Sequence, residues 1–275
     1  MAMPDNLVLV RHGESEANIV QGILYGDDES KKQRIKNIVE YHDAHIRLTP
    51  SGAKQAKAAG EWLKNNNLLN FDRYYVSPHI RTRETAANLS VNGSWHVDDR
   101  LREQDWGEYN LLSWDEIQAD SPASRRIRDQ NYWYWRPRGG ETLAGDVRTR
   151  FESFLTTLHR KAANKQVIGV THGGYMQTAR FVLERLTPDQ WVKQVETPEY
   201  KLSNCQILHY TRINPTTGEK DPYLRWRRSI CPWDERRSWN NGEWIEINTP
   251  TYNDQELLQE VEKYKRLLPN DLLES

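Results

Sequence analysis

The sequence predicts an α/β fold in which a mostly parallel central sheet has helices on both faces, with a C-terminal appendage of a β-hairpin and a helix. Two continuous apolar runs, at residues 7–10 and 166–171, are typical of parallel strands that are covered on both faces. Strand-like and helix-like segments alternate over residues 1–211, which favours a parallel sheet. After residue 212 a turn-rich stretch, NPTTGEKDP, marks a change in character. We therefore predict an α/β domain at 1–211 and an extension at 212–275 that packs on it.

The first hundred residues alternate between predicted strands and helices. The strands are predicted at 7–10, 71–76 and 95–97. Thr49, Pro50 and Ser51 start a helix, because proline is tolerated in a first turn and a hydroxyl side chain can cap it. The segment 77–89 leads from a strand end into another helix. The polar stretch 22–47 carries a short predicted helix from about residue 29 to residue 41, and it is a candidate lid.

The second half of the chain continues the alternation of predicted strands and helices as far as residue 211, and the extension then departs from it. The predicted elements are a helix from about 113, a loop at 131–142, a helix around 147–158, a strand at 166–171, helices from 173 and 188, and a strand at 205–211. In the extension, segments 223–233 and 242–248 resemble the two strands of a hairpin. A final helix is predicted at about 254–268, and it could support a homodimer or dock on its own domain.

Composition limits the classes of protein to which the chain can belong. Its formal net charge of −1 over 275 residues gives no global field that would attract nucleic acid or an anionic membrane. Cys205 and Cys231 show neither metal-ligand spacing nor a disulfide framework, which favours a reducing, cytoplasmic location. No apolar stretch of about 20 residues is present, and no signal sequence precedes the first strand, so we expect neither membrane insertion nor secretion. The His42-x-x-His45 spacing has no further ligands on a helical face, so we expect no metal there.

Charged and imidazole side chains follow the predicted strands at their carboxyl ends. Arg11 and His12 follow the first apolar run, and His172 follows the second. Because sites in such sheets lie outside the carboxyl ends of the strands, we expect these residues to meet near the 77–81 loop, which ends in Arg81. A neutral imidazole can attack phosphorus, and guanidinium groups match phosphate oxygens in a bidentate way. The residues therefore indicate a phosphoryl-transfer site.

Roles within such a site can be assigned to individual side chains. His12 is the candidate nucleophile, with Arg11 and Arg81 as an anion cradle. His172 would add a positive donor if it were protonated, which neighbouring arginines oppose and a bound dianion favours. Glu103 is the candidate general acid, in competition with three nearby carboxylates, namely Asp105, Glu108 and Glu141.

Five segments in a fixed order resemble the histidine phosphatase superfamily, also called the phosphoglycerate mutase-like fold, over about residues 5–211. The segments are LVLVRHGESEAN, LTPSGAKQA, SPHIRTRETA, REQDWGE and VTHGG. The resemblance implies a phosphohistidine at His12, with Arg81 and His172 in the pocket and Glu103 on the acid-bearing segment. It also implies a phosphate contact from Asn18, and hydrolysis that needs neither a metal nor an organic cofactor.

The resemblance leaves the reaction open between three alternatives. The first is a phosphatase that hydrolyses a small phosphate monoester, and the second is a mutase that returns the phosphoryl group to another hydroxyl. The third is a non-catalytic protein that binds a phosphate ligand. The chain lacks the paired arginines that the glycolytic mutases carry after the acid, which favours the phosphatase. The run YWYW at 132–135, with Arg136 and Arg138, could stack on a sugar or base or pack the loop onto the domain.

Overall fold

The computed structural model describes residues 2–35, 38, 41–249 and 251–269. Within them, seven strands form a single sheet in the order β3-β2-β4-β1-β5-β6-β7. In chain order the strands are β1 Asn6–Arg11, β2 Arg73–Val76, β3 Trp95–Val97, β4 Gln166–Thr171, β5 Ile207–Thr211, β6 Trp226–Ile230 and β7 Ile245–Glu246. The four strands β1 to β4 are mutually parallel. Their carboxyl ends therefore lie along one edge of the sheet, as the sequence predicts.

The predicted hairpin of the extension is present, and it is part of the central sheet. β6 and β7 pair in antiparallel fashion with each other. In addition, β6 pairs along its whole length with β5, which itself runs antiparallel to β1. The extension thus covers the backbone edge that β5 would otherwise expose, and an exposed edge is a site for unwanted strand pairing.

Ten α-helices accompany the sheet within the described residues. They are α1 Glu16–Leu24, α2 Glu29–Arg34, α3 Pro50–Asn65, α4 Ile80–Asn88, α5 Trp114–Asp120, α6 Pro122–Gln130, α7 Arg148–Lys161, α8 Gly173–Leu183, α9 Pro188–Glu196 and α10 Asp254–Glu262. The first of them, α1, was not expected from the sequence.

Three predicted helices differ from the observed ones in length or number. The helix predicted at 29–41 ends at Arg34, and residues 36–37 and 39–40 of that prediction lie outside the described residues. The helix predicted from 113 is divided into α5 and α6, because Ser121 ends the first and caps the second, which begins at Pro122. The final helix ends at Glu262 rather than near 268.

Two apolar cores lie on the two faces of the sheet. Alternate residues of β1 divide between them, with Leu7 and Leu9 in one core and Val8 and Val10 in the other. Helices α7 and α8 cover the first face through side chains such as those of Phe154 and Met176, and α3 and α4 cover the second. This arrangement confirms the predicted layers and holds the carboxyl ends of β1 and β4 in place.

The tryptophans of the YWYW run serve packing. Trp133 and Trp135 are each only 1% exposed, and the ring of Trp133 stacks on Phe181 with centroids 4.0 Å apart. A ligand therefore cannot stack on these two rings, and only Tyr132 of the run lines the large cavity described below. In the part of the chain that the structure describes, no helix is both long and apolar enough to cross a membrane.

Candidate active site

The two strand-end histidines lie side by side. β1 and β4 pair in parallel with Arg11 opposite Thr171, so His12 and His172 leave the sheet at the same level. The backbone N–H of His12 donates to the carbonyl of Thr171 at 2.9 Å. The imidazole centroids are 5.2 Å apart in an edge-to-face arrangement, and both residues are buried.

A hydrogen bond fixes the tautomer of His12. Its Nδ1 lies 2.7 Å from the carbonyl oxygen of Gly13. Because a carbonyl oxygen can only accept, Nδ1 carries the proton and Nε2 presents a lone pair. Burial lowers the pKa of His12 well below its usual value, and Arg81 and Arg11 lower it further. The imidazole is therefore neutral and has an unprotonated nitrogen, as a nucleophile requires.

Two glycines of the similar segments let the backbone around His12 pack closely. A Cβ on Gly13 would lie 2.4 Å from the carbonyl oxygen of Gly52, and a Cβ on Gly52 would lie 2.0 Å from the carbonyl oxygen of Glu14. The N–H of Gly13 donates to Oγ1 of Thr85 in α4 at 3.0 Å. The start of α3 and the middle of α4 thus hold the loop that carries His12.

His172 is neutral and is positioned from both ring nitrogens. Its Nδ1 lies 3.3 Å from Nη2 of Arg81, and its Nε2 lies 2.8 Å from Oγ of Ser77. Since a guanidinium group only donates, Nδ1 accepts and Nε2 donates to the serine. Burial, followed by Arg81 and His12, lowers the pKa of His172 well below its usual value. In this arrangement His172 is an orienting group next to Arg81 rather than a third cation.

Ser77 and His79 complete the surroundings of His172, and both belong to the 77–81 loop that the sequence places near this site. The ring of His79 packs against His172 with centroids 4.6 Å apart. Burial lowers the pKa of His79 to about 4, and Arg81 contributes to the shift. Ser77 is 95 residues away from His172 in the chain, so no local pattern could have paired them.

The predicted anion ligands approach from three separate elements. Arg11 ends β1, Asn18 lies in the first turn of α1, and Arg81 lies in the first turn of α4. Nη1 of Arg11 donates to the carbonyl of Leu202 at 2.5 Å. Oδ1 of Asn18 accepts a hydrogen bond from Nδ2 of Asn204 at 3.1 Å. The Nδ2 donor of Asn18 therefore points away from Asn204. All three predicted ligands line the same cavity as His12.

The carboxylate of Glu103 lies against the N-terminus of α8. Its carboxylate accepts hydrogen bonds from the backbone N–H groups of Gln104 at 3.0 Å, Gly174 at 3.2 Å and Tyr175 at 3.2 Å. The last two belong to the first turn of the helix that follows His172, where N–H groups have no partner within the helix. A Cβ on Gly174 would lie 2.7 Å from Oε1 of Glu103, so glycine is needed for this approach.

The three rival carboxylates lie elsewhere. Glu141 is paired with Arg102 and Arg150, and Glu108 lies 3.6 Å from Arg138. Among the described residues, the carboxylates that line the cavity belong to Glu103, Asp43 and Glu196, and not to any of the rivals.

The cavity has a volume of about 750 Å³ and extends well beyond the histidines. Its outer wall includes aromatic and cationic side chains, namely Tyr25, Trp106, Arg128, Tyr132 and Lys201. Tyr25 stacks on Trp114 with ring centroids 5.9 Å apart, and the guanidinium of Arg128 lies 3.8 Å from the same indole ring. The 22–47 stretch therefore contributes to the wall through Tyr25, and through Asp43 close to Arg81.

The arrangement brings together the side chains that transfer of a phosphoryl group requires: a neutral imidazole, buried guanidinium groups and a carboxyl group around one cavity. Across the described residues, no three His, Cys, Asp or Glu side chains are grouped as ligands of a metal ion would be. The fold and the site thus define a protein whose side chains are suited to phosphoryl chemistry.

Comparisons with known proteins agree with this class. A family model described as the histidine phosphatase superfamily (branch 1) matches residues 7–212. Over 205 residues the chain is 30% identical to the 2,3-bisphosphoglycerate-dependent phosphoglycerate mutase of Brucella ovis, covering 70% of this chain and 87% of that protein. The chain therefore belongs to the histidine phosphatase superfamily, as its five segments predict.

Solved structures with the same fold include two phosphatases. A phosphoserine phosphatase from Entamoeba histolytica, in complex with 3-phosphoglyceric acid, has a TM-score of 0.56 and 23% identity over 76% of this chain and 91% of that chain. A mycobacterial glucosyl-3-phosphoglycerate phosphatase in complex with VO3 has a TM-score of 0.57 and 24% identity over 75% of this chain and 92% of that chain. At these identities the likeness shows the fold.

Proposed function

We propose that the protein is a phosphatase that hydrolyses a small phosphate monoester through a phosphohistidine on His12. The observation that carries the proposal is the hydrogen bond between Nδ1 of His12 and the carbonyl of Gly13, 2.7 Å long, in a residue that lines the cavity. It leaves the Nε2 lone pair of a neutral imidazole for attack on phosphorus. An arginine-lined cavity next to this nitrogen supplies the cationic surroundings that a phosphoryl group needs.

The first half-reaction transfers the phosphoryl group to the protein. Nε2 of His12 attacks phosphorus, a P–N bond forms, and the ester P–O bond breaks. The carboxylic acid of Glu103 gives its proton to the departing alkoxide. Arg11, Arg81 and the amide of Asn18 donate hydrogen bonds to the phosphoryl oxygens, and His172 holds Arg81 from behind.

The second half-reaction restores the protein. The carboxylate of Glu103 takes a proton from water as that water attacks phosphorus. The P–N bond breaks, inorganic phosphate leaves, and His12 regains its lone pair. Glu103 suits both steps, since three backbone N–H groups orient it at the cavity wall. The chain's own side chains suffice for this sequence of steps, in which neither a metal nor a cofactor takes part.

The first test compares the loss of activity when the proposed nucleophile is replaced with the loss when a matched histidine is replaced. His12→Ala should lower hydrolysis of an aryl phosphate by about a thousandfold or more, as expected for a nucleophile. His209→Ala is the control, because His209 is equally buried and neutral but does not line the cavity. A radiolabelled phosphoryl group should be trapped on the wild-type protein by rapid quenching at alkaline pH, and not on His12→Ala. Equal hydrolysis by wild type and His12→Ala would refute the proposal.

The second test examines the acid. Glu103→Gln should slow alkyl phosphates far more than aryl phosphates, because a phenolate leaves without being protonated. The matched control is Glu141→Gln, which neutralises a carboxylate that lies outside the cavity. An identical loss on both classes of substrate would contradict the acid role.

A mutase is the second candidate, because the Brucella ovis relative carries that name. The two reactions differ in their products. A mutase needs a bisphosphorylated primer and releases little inorganic phosphate, whereas a phosphatase needs no primer and releases phosphate in proportion to substrate. A non-catalytic binder, the third alternative, would bind phosphate and show neither reaction.

Two further predictions accompany the proposal. A cytoplasmic location is supported by Cys205 and Cys231, which are both buried and unpaired. A homodimer through α10 stays a prediction, and its exposed Leu258 and Val261 are the side chains that such contact would cover.

A further inference from the structure

The carboxylate of Asp43 is hydrogen-bonded to the guanidinium group of Arg81, to which the phosphoryl group is proposed to bind. Asp43 lies in a short 3₁₀ helix at Asp43–His45, at the end of the 22–47 stretch. Its Oδ1 accepts from Nη1 of Arg81 at 3.1 Å, and its Oδ2 accepts from Nη2 at 2.8 Å. This is the fork-to-fork pairing that guanidinium groups also form with phosphate.

The four N–H groups on the terminal nitrogens of Arg81 are all accounted for. Besides the two carboxylate contacts, Nη1 donates to the main-chain carbonyl of Asp43 at 2.7 Å. Nη2 also donates to Nδ1 of His172 at 3.3 Å. A phosphoryl oxygen can therefore gain a hydrogen bond from a terminal nitrogen of Arg81 only by replacing one of these acceptors. The carboxylate is the acceptor that a dianion would displace, since two like charges would otherwise share one guanidinium group.

We propose that Asp43 is a specificity-determining residue that competes with the ligand for Arg81, so that a ligand must carry a phosphoryl group, rather than a single carboxylate, to displace it. The inference rests on the proposed function. A phosphoryl dianion has a further oxygen for Arg11 and Asn18, which line the same cavity, and so it gains contacts that the carboxylate of Asp43 lacks. A free carboxylate gains only what the tethered carboxylate already provides, and tethering gives Asp43 the advantage of a high effective concentration.

The main chain allows this contact to be altered in isolation. Arg81 is 3% exposed and is also held by His172, so it stays in place when the carboxylate is neutralised. The carbonyl of Asp43 keeps its own hydrogen bond to Nη1 in any side-chain variant. Asp43→Asn keeps the shape of the side chain and removes its charge, and Asp43→Ala removes both oxygens.

The test measures binding of inorganic phosphate by calorimetry to the full chain. If the carboxylate occupies Arg81 in about nine molecules of ten, Asp43→Asn and Asp43→Ala should bind phosphate about tenfold more tightly than wild type. Glu196→Gln is the matched control, because it neutralises another carboxylate of the cavity wall that does not contact Arg81, and it should change the affinity much less. In an Arg81→Ala background, Asp43→Asn should no longer tighten phosphate binding.

Added formate supplies a second readout that a merely structural role would not move. Formate should weaken phosphate binding to Asp43→Ala, because it replaces the missing carboxylate on Arg81, and it should leave wild type unaffected. Hydrolysis of an aryl phosphate should show a lower KM and an unchanged kcat in Asp43→Asn.

Equal or weaker phosphate binding by both Asp43 variants, while wild type still binds phosphate and hydrolyses the ester, would overturn this inference alone. It would mean that Asp43 supports Arg81 rather than competing for it. Absence of phosphate binding and of hydrolysis in wild type would overturn the proposed function and this inference together.

Discussion

Acidification below pH 6.5 should destabilise this protein steeply, because the fold keeps four histidines neutral. Burial, as the largest cause in each case, lowers the pKa of His12, His172 and His209 well below the usual 6.5 and that of His79 to about 4. In the unfolded chain the same side chains take up protons near pH 6.5. The unfolded state therefore binds more protons than the folded state below that pH, and stability is lost as the pH falls from 6.5 towards the folded-state values.

The size of the effect follows from the number of groups. One such histidine contributes about 1.4 kcal/mol for each pH unit once the unfolded chain is protonated. Four together give a loss on the order of 4–5 kcal/mol between pH 6 and pH 5, which is a large part of the 5–15 kcal/mol that is typical of domains. Carboxylates with lowered pKa values, such as Asp72 and Asp98, add their own loss only near and below their usual value of 3.8.

Urea unfolding at pH 7, 6 and 5 measures this dependence. His209→Gln should reduce the slope of unfolding free energy against pH by about a quarter, whatever it does to the absolute stability, because it removes one of the four groups. His159→Gln is the matched control, because the imidazole of His159 lies in the last turn of α7 and is only partly buried. A change of less than about 1 kcal/mol between pH 7 and pH 5 would refute the reasoning, because it would mean that the folded protein accepts these protons.

Three further substitutions test individual contacts. Gly174→Ala would place a Cβ 2.7 Å from Oε1 of Glu103, so it should lower alkyl phosphate turnover by about a hundredfold, the scale of general acid catalysis, and aryl phosphate turnover much less. Ser77→Ala removes the acceptor of the Nε2–H of His172, and the buried donor left behind should lower kcat about tenfold in a steady-state assay. Trp133→Ala opens a cavity at a residue that is 1% exposed, and urea unfolding should show a loss of about 3–5 kcal/mol. Unchanged values in these assays would contradict the corresponding contact.

The parts of the fold that the sequence predicts well are those with a strong local signal. The runs that form β1 and β4 are short, apolar and bounded by polar residues, so the sequence places the residues that follow them at strand ends. Helix α1 lacks such a signal, because its buried side chains are confined to Ala17 and Val20. Its N-terminus is capped by reciprocal contacts of Ser15 and Asn18, whereas the resemblance implies only a phosphate contact for Asn18.

The parts that the sequence could not predict depend on contacts between distant segments. The pairing of β6 with β5 is decided by which sheet edge is available, and a hairpin pattern alone does not show it. Asp43 and Arg81 are 38 residues apart, and a carboxylate in a polar stretch has no feature that would single it out. The tryptophans at 133 and 135 carried two equal interpretations, and only their burial decides for packing.

The site has two parts, one held by adjacent strands and the start of α8, and one, around Arg81, that separate segments share. His12 and His172 are tied to adjacent strands, and Glu103 is tied to the first turn of α8, which follows His172 directly. A shift of α8 would therefore move His172 and Glu103 together, which preserves their relation to each other. Arg81, by contrast, is shared between His172 and a carboxylate from the 22–47 stretch. If the proposed roles hold, changes in that stretch should alter which anions reach Arg81 while the surroundings of His12 stay the same, so selectivity could vary independently of the proposed nucleophile.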